Sequence, residues 1–118
     1  MNLNEFKDQV IESVVNPMLS FMEEYEIEDY TAEDVDRCKT VLFNYLEALA
    51  HMDSPSDEEI MEQVKKLVLE LNELSEQTDY AMIETDERES ICEIIQSSAV
   101  ECGLTAYEDD ITEQWREW

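Results

Sequence analysis

Every compact state open to this chain must gather 32 carboxylates with only seven basic side chains, a formal net charge of −25 over 118 residues. Self-repulsion of that size opposes compaction, so the fold has to be held by ample apolar burial. Acidic chains that also lack hydrophobic residues stay disordered. Here 43% of the residues are apolar, and they recur in regular stripes. The expectation is one folded domain over residues 1–118 with a single core. One glycine and two prolines leave too little turn chemistry for a sheet of tight hairpins. Long helices joined by short loops suit this composition.

The stripes support that reading. Leu3, Phe6, Val10, Val14, Met18, Met22 and Tyr25 follow three- and four-residue steps, which place them on one helical face. Asn16-Pro17 interrupts this segment, so a kink or a junction of two short helices is predicted there. Glu26 to Tyr30 reads as a connection. Thr31 is placed to cap a second helix carried by Val35, Cys38, Leu42, Tyr45, Leu46, Leu49 and Met52.

Asp53-Ser54-Pro55 ends that helix, and Ser54 with Pro55 at the first helical position is expected to start a third. Its stripe is Ile60, Val64, Leu67, Val68, Leu71 and Leu74. Ser75 to Ile83 reads as a connection in which Tyr80, Met82 and Ile83 should pack. A fourth helix begins near Thr85, carries Ile91, Ile94, Ile95, Ala99 and Cys102, and is capped by Gly103. Ile111, Trp115 and Trp118 share a face if the last segment is helical. The predicted architecture is all-α, a four-helix bundle-like single domain with a kinked first helix and a short C-terminal helix.

Few catalytic or metal chemistries fit these residues. A di-iron bundle needs two Glu-x-x-His motifs, whereas His51 is the one histidine and Ala48 stands three residues before it. Cys38, Cys92 and Cys102 lack the paired spacing of zinc sites, and no central glycine serves a calcium loop. The cysteines fall on or beside apolar stripes and read as small buried hydrophobes. No phosphate-cradling glycine loop is present. No catalytic residue, metal or cofactor is predicted, and an enzyme is the least favoured reading.

Charge then sets the partner. A chain this acidic repels nucleic acid and anionic lipid, and it attracts basic protein surfaces. The odd cysteine count, an N-terminus without a basic and apolar leader, and the absence of a spanning apolar run lead to a cytoplasmic expectation. The densest acidic run, Glu23 to Asp36, contains no lysine or arginine until Arg37 and has Tyr25 and Tyr30 within it. Tyrosine among carboxylates suits an interface with a cationic protein. Glu24, Glu28, Asp29, Tyr30, Glu33 and Asp34 are the predicted partner-binding residues. Further acidic groups lie at Asp57 to Glu62, at Glu84 to Glu89 and in the tail, where helix-dipole complementation is a sufficient reason for many of them.

Two segments, Ile83-Glu84-Thr85-Asp86-Glu87-Arg88-Glu89 and Asp110-Ile111-Thr112-Glu113-Gln114-Trp115-Arg116-Glu117-Trp118, resemble small acidic bacterial proteins, some of them immunity proteins against polymorphic or contact-dependent toxins. The resemblance spans about the last third of the chain and assigns no functional residues. It agrees with the charge argument, which leads to a cytoplasmic inhibitor that neutralises a basic protein such as a nuclease toxin. A DNA mimic acting on a DNA-binding protein is the first alternative. A helical adaptor or homodimer whose acidity serves solubility is the second.

Overall fold

The computed structural model describes Met1–Trp118, and it is an all-α bundle without strands. Four helical rods make it up. The first comprises α1 (Leu3–Val10), a π turn (Ile11–Val15) and α2 (Asn16–Glu24); the others are α3 (Ala32–Ala50), α4 (Asp57–Gln77) and α5 (Thr85–Cys102). No helix is long and apolar enough to cross a membrane. The first rod packs on α3 and α5, α3 on α4, and α4 on α5. Lys7 meets Glu47, Arg37 meets Gln77 and Asp57 meets Thr105, so successive rods alternate in direction, and the molecule measures 45 × 28 × 20 Å.

The first rod carries the predicted junction of two short helices at Asn16-Pro17, where α2 begins after the π turn. Its helical run stays unbroken because the turn before the proline is widened: the Asn16 N–H donates to the Ile11 carbonyl, five residues back. A proline ring clashes with the carbonyl four residues earlier, and a π turn moves that carbonyl aside. The stripe itself asks for this. Phe6, Val10, Val14, Met18 and Met22 lie four apart, and each four-residue step drifts roughly 40° around an α-helix. One wide turn brings the stripe back, and Phe6, Val10, Val14 and Met18 are all buried.

Helix starts are well defined. Thr31 caps α3 as predicted: its hydroxyl accepts from Asp34 N–H at 3.3 Å while the Asp34 carboxylate accepts from Thr31 N–H at 3.0 Å. The start of α4 lies later than predicted. Ser56 caps it, because Ser56 and Glu59 form the same reciprocal pair. Pro55 stays outside the helix, and Ser54 takes a left-handed φ of 46°. Each such cap contributes about 1 kcal/mol. Gly103 ends α5 at φ 121°, with Leu104 N–H reaching back to the Ala99 carbonyl at 3.0 Å.

The core is one cluster drawn from all four rods. Inside it the Tyr45 hydroxyl donates to the Ile95 carbonyl at 3.1 Å and lies 3.0 Å from Ser98 Oγ. This polar link favours one register of α3 against α5, since a shift would leave the buried Tyr45 hydroxyl unpaired while Ser98 kept its bond to the Ile94 carbonyl. Cys38 is fully buried, which pushes its thiol up to about 12. Cys92 and Cys102 are half-buried, and burial raises both thiols as well.

The last segment differs from the expected short helix. From Gly103 the chain turns back and runs along the α4–α5 side as a string of turns. Asp57 accepts the N–H groups of Thr105 and Ala106, each at 3.0 Å, and the Thr105 hydroxyl at 2.8 Å. Gln96 donates to the Glu108 carbonyl and accepts from Ile111 N–H. Buried Asn72 donates to the Trp115 carbonyl at 2.7 Å and accepts from Glu117 N–H at 2.9 Å. Residues 111–115 form turns rather than a regular helix, and Asp110 accepts the Thr112 N–H and hydroxyl at 2.9 and 2.6 Å. Arg116 then bonds Asp110 at 3.0 Å and the Trp118 carbonyl at 2.7 Å. Ile111 is buried, while Trp115 and Trp118 lie half-buried against the core.

Candidate functional site: an acidic end of the bundle

Alternating helix directions place the α2–α3 connection and the α4–α5 connection at the same end. Arg37, in the second turn of α3, donates to Gln77 at the end of α4 at 2.9 Å. The Tyr30 hydroxyl is pushed above its usual range by burial, then by the charges of Glu87 and Glu84 at the start of α5. Two acidic groups far apart in sequence thus become one surface. Glu23, Glu24, Glu26, Glu28, Asp29 and Glu33 are exposed on the first connection; Glu76, Asp79, Glu84 and Asp86 are exposed on the second.

Four of the six predicted residues, Glu24, Glu28, Asp29 and Glu33, are exposed there together. The other two have different work. Asp34 closes the α3 cap and lies 3.6 Å from Arg37. Tyr30 is only 2% exposed, and its hydroxyl donates to the Met18 carbonyl at 3.2 Å. It fastens the connection to α2 and cannot anchor a partner while the fold is intact. The exposed aromatics at this end are Tyr25, 60% exposed with its ring 4.7 Å from Phe21, and Tyr80, 52% exposed.

Tyr80 departs from the expectation that it packs with Met82 and Ile83; Met82 is buried, but Tyr80 points away from the core. Its backbone explains this. Asp79 and Tyr80 take consecutive left-handed φ values of 53° and 58°, held by Tyr80 N–H donating to the Ser75 carbonyl at 2.7 Å. Left-handed backbone costs an L-residue roughly 1–2 kcal/mol. Glycine would be the usual occupant of this position. Glu84, Glu87 and Tyr80 were missed as neighbours of the first cluster. Up-down connectivity was the available signal.

Little of the charge is neutralised internally. The four ion pairs are Lys7–Glu47, Arg37–Asp34, Lys39–Asp36 and Arg116–Asp110, so they engage only four of the 32 carboxylates. All are at least partly exposed, and solvent screening leaves such pairs little weight in stability. No three side chains of His, Cys, Asp or Glu converge as a metal cage requires.

Stability should be greatest at mildly acidic pH. Glu87 is buried; burial raises its carboxyl, its own backbone N–H partly opposes this, and Asp86 and Glu84 raise it further above the ordinary 4.5. A raised carboxyl favours the folded state when protonated, a contribution complete below 4.5 and lost as pH rises through the folded value. Hydrogen bonds from Thr105 lower Asp57, and those from Ser56 lower Glu59. Burial alone would raise Asp110, but bonds from Thr112 and Arg116 outweigh it and lower the carboxyl. Their contributions hold above 3.8 to 4.5 and vanish as pH falls through the lowered values. Thermal unfolding should therefore show Tm climbing from pH 7 towards about pH 5 and dropping below about pH 4. In Glu87→Gln the climb should shrink. A Tm that falls steadily from pH 7 downward would contradict this balance.

Compared with known proteins, the chain matches no protein-family model, no curated relative and no solved structure.

Proposed function

We propose that this chain is an inhibitor of a basic protein, in the manner of an immunity protein against a nuclease toxin, and that the acidic end of the bundle is its contact surface. The observation that carries the reading is the joining of two acidic connections at one end, with Tyr25 and Tyr80 exposed among them. A nuclease surface must be cationic to hold phosphates. Carboxylates in the place of those phosphates would block it, and the two tyrosines supply apolar area that can be desolvated. Complementary charge also speeds encounter, up to about 10⁸–10⁹ M⁻¹s⁻¹ at low salt.

The test starts with immobilised protein and host lysate at low and moderate salt. One stoichiometric basic protein should remain bound at moderate salt. Asp29→Lys/Glu33→Lys should slow its association by about tenfold or more and flatten the salt dependence. Equal binding by that variant would remove the acidic end from the interface.

One observation favours the DNA-mimic alternative. The returning tail carries exposed Glu108, Asp109, Glu113 and Glu117 from the α4 start back towards Asn72, which extends the acidity along the bundle as phosphates extend along a duplex. Under that reading Glu113→Lys/Glu117→Lys would weaken binding as much as the reversal at the acidic end.

A further inference from the structure

Between the early turns of α4 and the returning tail lies a half-open groove of about 360 Å³, within the roughly 300–1,000 Å³ range of small ligand sites. Met61, Tyr107 and Ile111 give it an apolar lining, and Glu108, Asp110 and Glu113 give it an acidic one. No lysine or arginine lines it. Asp110 is already held by Thr112 and Arg116. Glu108 and Glu113 are exposed and have no ion-pair partner, so their charge is uncompensated.

The wall is built before any ligand arrives. Asp57 fixes Thr105 and Ala106 at one end, Gln96 grips Glu108 and Ile111 in the middle, and Asp110 braces Thr112 at the other. A wall fixed in advance spares a ligand the entropy of ordering it. Tyr107 in its lining stays 52% exposed.

We infer that this groove receives an arginine side chain from a segment of a basic protein. The apolar stem would lie along Met61 and Ile111, and the guanidinium would meet Glu108 and Glu113 with Tyr107 beneath it. Arginine fits better than lysine because its planar head stacks on an aromatic ring and donates several parallel hydrogen bonds. The groove is built by the α4 start and the tail, away from the two acidic connections. It does not depend on the inhibitor reading, and each can fail alone.

The experiment is a ¹⁵N–¹H NMR titration of the whole protein at physiological salt with the capped tripeptide acetyl-Leu-Arg-Leu-amide. Saturable shifts should be confined to Met61 and to Tyr107 through Gln114. Replacing arginine by citrulline keeps the shape and removes the charge, and it should weaken binding by roughly fivefold or more. Glu108→Gln/Glu113→Gln, both at exposed positions, should do the same to the arginine peptide. If its spectrum departs from wild type beyond the groove, the citrulline comparison on the unaltered protein decides. Equal binding of the citrulline peptide, shifts scattered over every acidic surface, or no shifts at all would each overturn the proposal.

Discussion

Truncating Tyr30 to alanine should cost the fold about 3–5 kcal/mol, the range for removing a large buried aromatic side chain. The ring belongs to the core and is 2% exposed, and the hydroxyl bonds the Met18 carbonyl at 3.2 Å. It fills the space that the α2–α3 connection must close as the chain crosses from α2 to α3 beside the start of α5. Tyr30→Phe keeps the ring and should lose only about 1 kcal/mol. Urea unfolding of both variants measures the difference. A loss under about 1 kcal/mol in Tyr30→Ala would mean that the ring is not packed as described. The prediction bears on binding as well, because a Tyr30→Ala variant that fails to hold a partner reports a disordered connection. Tyr25→Ala and Tyr80→Ala are the informative truncations, since exposed positions usually change stability by about 0.5 kcal/mol.

The second large effect concerns Asn72. Its amide donates to one tail carbonyl and its oxygen accepts one tail N–H, so the single side chain holds the tail from both directions. In Asn72→Asp the group facing the Trp115 carbonyl becomes an acceptor facing an acceptor, and a charge is placed in a 6% exposed site. Release of the tail and a loss of about 2 kcal/mol or more should follow. Both tryptophans of the chain are in this tail, so intrinsic fluorescence reports it separately from the helices. At pH 7 emission should shift to the red while the helical circular dichroism persists. Acidification should reverse the shift, because the introduced carboxyl, once protonated, regains both the donor and the acceptor. Unchanged emission at pH 7 would refute the account.

Much of the fold was legible because periodicity and capping act locally. The stripes of α3, α4 and α5 name residues that prove buried, apart from the half-buried Met52 and Cys102, and Thr31 and Gly103 mark boundaries through bonds made within a few residues. The misread boundary at Pro55 had a local cause too: Ser56 has Glu59 three residues ahead to complete a reciprocal cap, whereas the residue three after Ser54 is Asp57, which holds the tail. The tail and Tyr30 were not legible for a different reason. Whether an aromatic residue faces water depends on what lies opposite, and the residues opposite are Asn72 and Arg116 in one case and Met18 and the α5 start in the other. The acidic surface lies between these extremes. Each cluster is plain in the chain, and their union follows only once the helix directions are set.

The π turn bears on which length changes this chain could tolerate. It amounts to one residue more than an α-helix would use between the Val10 and Met18 contacts. Deleting one residue from Ile11–Val15 would restore a regular α-helix and leave the segments on either side in phase, whereas adding one would turn the segment before it by roughly 100°. With a residue added, Phe6 and Val10 would leave the core, and Lys7 would leave Glu47, from which it stands 2.6 Å. The connections carry no such phase and can gain or lose a residue at their exposed positions. Length variation among chains sharing this fold would therefore gather in the connections, and the first rod could lose one residue at the π turn but gain none.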